Sequence, residues 1–175
     1  MRPLRKVEGR AAVIDRCDID TDQIIPKQFL KRIERSGYGE FLFYDWMKDP
    51  EFELRRPGAE GAVVLIAGRN FGCGSSREHA AWSLDDYGFR VVIAPSFGDI
   101  FRTNAIKTGL APIVLGEAEL EAVKHAVAEQ NELCILAGEI QILRTLRRCS
   151  GRRRRWSGWL RLRKRRRNQP RRHVL

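Results

Sequence analysis

The run Arg69-Asn70-Phe71-Gly72-Cys73-Gly74-Ser75-Ser76-Arg77-Glu78-His79-Ala80 brings hydroxyls, a thiol, a guanidinium and an imidazole together around two glycines. Gly72 and Gly74 let the backbone come close to a ligand. Ser75 or Ser76 is suited to cap the N-terminus of a helix. The unpaired N–H groups and positive dipole end of such a helix favour an anion. Arg77 adds a planar fork of donors that matches a carboxylate. A hydroxyl, an anion site and an arginine within three residues predict a small carboxylic acid as ligand. The same run is not a dinucleotide fingerprint, because Gly72-Cys73-Gly74 is followed by Ser75-Ser76-Arg77 without a third glycine in place. It is not a phosphate loop either, since no Gly-Lys-Ser/Thr follows. Cys73 as a nucleophile would need a base, and His79 is the nearby candidate. The expectation is instead that Cys73 packs beneath the turn. His79 and Glu78 are expected to hydrogen-bond within the helix start.

A turn of this kind has to be held by regular elements, and the sequence around it alternates strands and helices. Gly61–Ala67 is an unbroken, largely β-branched apolar run, as expected for a strand covered on both faces. The Gly-rich turn follows, then a helix from about Arg77 to Tyr87 closed by Gly88. Phe89–Ala94 reads as a second buried strand, broken by Pro95. Ser96 is placed to cap a helix with apolar positions at Phe97, Ile100, Phe101 and Ile106, ended by Gly109. Ala111–Leu115 gives another strand, Glu117 to Glu129 has helical spacing at Leu120, Val123 and Val127, and Cys134-Ile135-Leu136 reads as a last strand. Upstream, Ala11–Ile14 is a short strand before the acidic turn Asp18-Ile19-Asp20-Thr21-Asp22, for which an Asx-type turn is the plain reading. Phe29 to Trp46 reads as a short helix and irregular loop, and Asp49 to Gly61 as a surface connection. Strand–helix–strand units of this length predict right-handed crossovers and a parallel sheet, hence an α/β fold.

The bulk properties narrow the classes of function. A chain of 175 residues suits one domain. It has no apolar run near the roughly 20 residues of a membrane span and no apolar stretch after its first basic residues, so a cytoplasmic protein without a signal peptide is expected. Cys17, Cys73, Cys134 and Cys149 are irregularly spaced with no C-x-x-C pair, which argues against a zinc or iron–sulfur site held by this chain alone. Reduced thiols are expected. The net charge of +11 conceals two regions. Residues 144–175 hold 15 basic residues and no acidic one, while residues 1–143 hold 18 basic and 22 acidic residues, a net of −4.

The run from Asn70 to Ala80 resembles the signature of the aconitase swivel-domain family in its isopropylmalate dehydratase small-subunit form. Asp20-Thr21-Asp22-Gln23-Ile24-Ile25-Pro26-Lys27-Gln28-Phe29-Leu30 is similar to a second block of that family, and Ala94-Pro95-Ser96-Phe97-Gly98-Asp99-Ile100-Phe101 with Asn104 to a third. The resemblance covers about residues 7–140. It implies a swivelling β/β/α three-layer domain, like the fourth domain of aconitase, with a mostly parallel core sheet. The activity implied is that of a hydro-lyase of leucine biosynthesis, which interconverts 2- and 3-isopropylmalate through an alkene diacid. It further implies a large partner subunit, in a heterodimer or higher assembly, that holds a [4Fe-4S] cluster, with no cofactor bound by this chain. By the same resemblance Ser75 is the catalytic base and Arg77 binds a substrate carboxylate. Gly74 and Ser76 shape the donor site, and Lys31 or Arg32, in the loop after Phe29-Leu30, contacts the substrate. A related hydro-lyase of the citraconate, homoaconitate or methylcitrate type is the alternative within the family.

After about Gly138 the resemblance stops, so a swivel domain over 1–140 and a separate basic stretch over 141–175 are expected. Arg152–Arg155 and Lys164–Arg167 are like-charge blocks that repel and stay solvated. An arginine-heavy, acid-free stretch is what an out-of-frame reading of GC-rich coding sequence produces, which would leave an inactive copy. The same stretch would attract nucleic acid non-specifically.

Overall fold

The computed structural model describes residues 6–31, 36–74, 77–129, 132–136 and 139–143, the last two stretches and Lys31 by their backbone alone. The basic stretch 144–175, with both arginine-rich blocks, lies outside the described residues.

Four parallel strands form the central sheet in the order β2 (Ala11–Ile14), β3 (Val64–Ala67), β4 (Val91–Ala94) and β5 (Ala111–Val114). Alternate residues of each strand face opposite sides, and the packing divides accordingly. Ala12, Ile14, Leu65, Ala67, Val92 and Ala94 belong to one cluster with Ala80, Ala81 and Leu84 of helix α2 (His79–Tyr87) and Phe101 and Ala105 of helix α3 (Asp99–Thr108). Ala11, Val64, Ile66, Val91, Ile93 and Ile113 belong to the other, with Leu120 and Val123 of helix α4 (Glu117–Ala128) and Val7 of strand β1 (Lys6–Gly9). Burial on both faces explains why β3 and β4 read as continuous apolar runs. A second, antiparallel sheet runs β1-β6-β7, with β6 at Glu132–Leu136 and β7 at Glu139–Leu143. Helices α2 and α3 cover one face of the parallel sheet and α4, with Val7 of β1, covers the other, which gives the expected α/β fold with a mostly parallel core sheet. Strands β1 and β7 are short and carry charged residues, so neither is marked by its composition. Regular backbone continues to Leu143, past the boundary expected at residue 140.

Two helix starts differ from expectation. Helix α2 begins at His79 with Glu78 at its cap position and no side-chain cap, and Ser75 and Ser76, the expected caps, lie outside the described residues. Helix α3 begins at Asp99 after Gly98, and Ser96 does not cap it. Its hydroxyl instead accepts the Asn70 N–H at 2.8 Å, tying the loop after β4 to the loop after β3. Along α3, Phe101 is buried, whereas Ile100 and Ile106 are 49% and 47% exposed, against their expected place on the apolar side.

The long connection from β2 to β3 is built of short pieces. Helix α1 (Thr21–Ile24) is followed by single 3₁₀ turns at Lys27–Lys31, Gly39–Phe41, Trp46–Lys48 and Glu53–Arg55. What stabilises it is aromatic burial. Tyr38, Phe43 and Phe52 are fully buried, and Phe29 stacks on Phe41 at 4.1 Å and meets Tyr44 edge-on. The stretch Asp49 to Gly61 is therefore more than a surface connection, because Phe52 and Leu54 root it in the core. Arg16, just past β2, adds a clasp: its guanidinium lies 4.4 Å from the Trp46 ring and pairs with Glu53 at 3.2 Å.

Candidate active site at the carboxyl ends of the parallel strands

The three loops that leave β2, β3 and β4 are zipped together by backbone hydrogen bonds. Gly68 N–H donates to Arg16 O at 3.0 Å and Asp18 N–H to Arg69 O at 2.9 Å. Further out, Gly72 N–H donates to Ile19 O at 2.7 Å, Thr21 N–H to Cys73 O at 3.0 Å, Phe71 N–H to Ser96 O at 3.0 Å, and Gly98 N–H to Phe71 O at 2.9 Å. In effect the strands continue as single parallel bridges, Asp20 with Cys73 and Phe71 with Phe97. The segments around Asp20, Asn70 and Ser96, separate in sequence, thus meet where parallel α/β sheets place their ligands.

The close approach depends on glycine. A Cβ at Gly72 would lie 2.3 Å from Cγ of Phe101, and its φ of +73° is strained for any side chain. A Cβ at Gly98 would lie 2.4 Å from the Gly72 carbonyl oxygen. Asn70 takes φ +58° and Asp18 φ +55°, and the Asn70 side-chain amide donates to Asp18 Oδ1 at 2.9 Å. The two left-handed residues are thereby locked to each other across the loops.

Asp20, Thr21 and Asp22 do more than turn the chain. Asp20 Oδ1 accepts the Gln23 N–H at 2.7 Å while Gln23 Oε1 accepts the Asp20 N–H at 2.9 Å, a complete capping box for α1. Asp22, on the first turn of α1, accepts from Arg77 Nη1 through Oδ1 and pairs with Lys27 Nζ at 3.1 Å through Oδ2. Arg77 is thus held in place by a partner 55 residues away, and one acceptor on Nη1 does not exhaust its five donors.

Of the residues expected at the site, Gly74 is exposed at φ +87°, and Arg77 is paired with Asp22. Lys31 closes the first 3₁₀ turn, four residues beyond Lys27. Ser75, Ser76 and Arg32 lie outside the described residues. Asp22, Lys27, Asn70 and Ser96 were not singled out as site residues by sequence. Asp22 and Ser96 lie in blocks that the family resemblance had marked, but their partners across the loops leave no mark in local spacing.

Cys73 and His79 are not set up as nucleophile and base. The thiol of Cys73 is half-buried and donates to the Asp18 carbonyl at 3.4 Å. Burial first, then the nearby carboxylates of Asp20 and Asp18, push its pKa up, against the thiolate a nucleophile needs. His79 Nδ1 is buried with no hydrogen-bond partner among the described residues, so the expected helix-start hydrogen bond is not made at that nitrogen. The ring packs at 4.7 Å from Trp82 and 5.2 Å from Tyr38. Burial and then the Arg77 charge hold its pKa below the ordinary imidazole range. Among the described residues no three His, Cys, Asp or Glu side chains stand together as a metal site. No helix among them is long and apolar enough to cross a membrane.

Residues 1–118 match the aconitase C-terminal domain. The 3-isopropylmalate dehydratase small subunit of Shouchella clausii is 56% identical over 146 residues, covering 79% of this chain and 74% of that one. That of Bacillus subtilis is 54% identical over 148 residues, covering 76% and 74%. The chain belongs to the family of 3-isopropylmalate dehydratase small subunits. The crystal structure of 3-isopropylmalate dehydratase from Methanocaldococcus jannaschii agrees at the level of fold, with a TM-score of 0.60, 33% identity, and coverage of 78% of this chain and 75% of that chain. Family membership accounts for the joined loops, since all three blocks quoted from the sequence lie on them.

Proposed function

We propose that this chain is the small subunit of 3-isopropylmalate dehydratase, which interconverts 2- and 3-isopropylmalate by dehydration and rehydration through 2-isopropylmaleate. The observation that carries this reading is the joining of the loops around Asp20, Phe71 and Ser96 at the carboxyl ends of the parallel strands, in a chain of this family. A large subunit bearing a [4Fe-4S] cluster is the partner, and the cluster supplies the Lewis acidity that lets the substrate hydroxyl leave.

This chain contributes the other half of the chemistry. Ser75 is the base that takes the carbon-bound proton and returns it on rehydration. A serine hydroxyl is too weak a base in water, so its anion needs the positive surroundings that Arg77 and the loop N–H groups provide. Arg77 binds a substrate carboxylate through its fork, and Gly74 and Ser76 shape the adjacent backbone. Asp22 fixes the guanidinium before substrate arrives, which lowers the cost of ordering it on binding.

The test is reconstitution of the full chain with the large subunit of a relative, followed by the absorbance of the unsaturated diacid. The reading predicts that 2-isopropylmalate is consumed only when both chains are present. A reconstituted, cluster-loaded pair that leaves isopropylmalate untouched would refute it.

A further inference from the structure

We propose that Lys27 is a second carboxylate-binding residue of this site and that Asp22 is the positioning residue that holds it beside Arg77. The inference deepens the functional reading above and rests on it. The two oxygens of Asp22 are divided between two cations: Oδ1 accepts from Arg77 Nη1, and Oδ2 lies 3.1 Å from Lys27 Nζ. Of the neighbouring acids, Asp20 caps α1 through the Gln23 N–H and Asp18 accepts from Asn70.

Exposure orders the group. The Arg77 side chain is 23% exposed, that of Asp22 35% and that of Lys27 68%, so Lys27 stands at the outer edge and Arg77 beneath it. The backbone carrying Lys27 is well fixed despite that exposure. It follows Pro26, whose carbonyl accepts the Phe29 N–H at 3.1 Å, and the Phe29 ring is stacked on Phe41 at 4.1 Å. A fixed backbone with its ammonium paired to Asp22 is a suitable arrangement for meeting an incoming carboxylate beside Arg77. Lys31 and Arg32, expected from the sequence to make that contact, lie further along the chain, and Lys27 is the lysine that shares a carboxylate with Arg77.

The experiment compares the reconstituted pair carrying wild-type chain, Lys27→Met, Lys27→Arg and Asp22→Asn. Lys27→Met should raise KM for 2-isopropylmalate about tenfold or more, the scale of one lost charge-assisted contact, with kcat within a few-fold and the melting temperature unchanged. Lys27→Arg should recover most of the loss, and Asp22→Asn should reduce kcat/KM through both cations. A Lys27→Met enzyme whose KM stays within twofold of wild type overturns the proposal. If the wild-type pair itself fails to turn over isopropylmalate, the functional reading fails, and Lys27 is then judged by amine acetylation read by mass spectrometry. Slower acetylation of Lys27 in the presence of isopropylmalate, malate or citraconate supports its role. Unchanged acetylation with all three refutes it.

Discussion

Arg77 and Asp22 are far apart in the chain and meet only because two loops are hydrogen-bonded side by side. Residue chemistry at the turn was therefore legible in kind but not in pairing. The close backbone approach at Gly72 is legible from residue type alone, whereas nothing in the local spacing says which acid will hold the arginine. His79 shows the same limit. Its place after Arg77 suggests a helix-start hydrogen bond, yet its ring packs against Tyr38 and Trp82 with the buried Nδ1 unpartnered among the described residues. Partial burial, reinforced by the Arg77 charge, holds its pKa in the fold below that of the unfolded chain. The unfolded chain then takes the proton first. Stability should be unaffected by this group well above about pH 6.5 and should decline as pH falls through that value toward the depressed folded pKa. Urea denaturation at pH 7.5 and pH 5 should show a smaller acid-side loss in His79→Phe than in wild type. An equal loss in both would remove His79 as its source.

The central elements were readable because burial on both faces demands continuous apolar strands, and Val64–Ala67 and Val91–Ala94 supply them. Helix ends at Gly88 and Gly109 were readable for a local reason, the left-handed C-cap that glycine favours. Helix starts were not. Ser96 is chemically able to cap, but its hydroxyl is taken by Asn70 on another loop, and α3 starts after Gly98. Strands β1 and β7 escaped notice because each is five residues or fewer and interrupted by charge. The sharpest prediction at this scale concerns the point where two loops touch. Gly72→Ala would place a methyl group against Phe101 in a left-handed backbone and should destabilise the fold by roughly 3 kcal/mol, combining overpacking and backbone strain. The midpoint of urea denaturation reads this directly. A shift worth less than about 1 kcal/mol would mean that the loops separate easily there.

At the scale of the whole molecule, the acidic body and the basic stretch make opposite demands on partners. The body carries the family match and the site, while residues 144–175 carry 15 basic residues and no acid. The antiparallel pairing of β7 with β6, and of β6 with β1, sets where the two can be parted. A chain ending at Leu143 should keep its circular dichroism and melting temperature and lose salt-sensitive retention on a polyanion column. Ending instead at Ala137 deletes β7, leaves one edge of β6 unpaired, and should lower the melting temperature. Equal melting temperatures for the two truncations would show that β7 contributes nothing to the fold.

The account as a whole rests on Ser75 delivering base chemistry from the turn that Arg77 and Asp22 border. The most direct measurement is turnover of 2-isopropylmalate by the cluster-loaded pair with wild-type chain and with Ser75→Ala, both confirmed to assemble. Loss of a general base predicts a fall in kcat of about 10²–10⁴-fold with assembly intact. Turnover by Ser75→Ala within a few-fold of wild type would contradict the account.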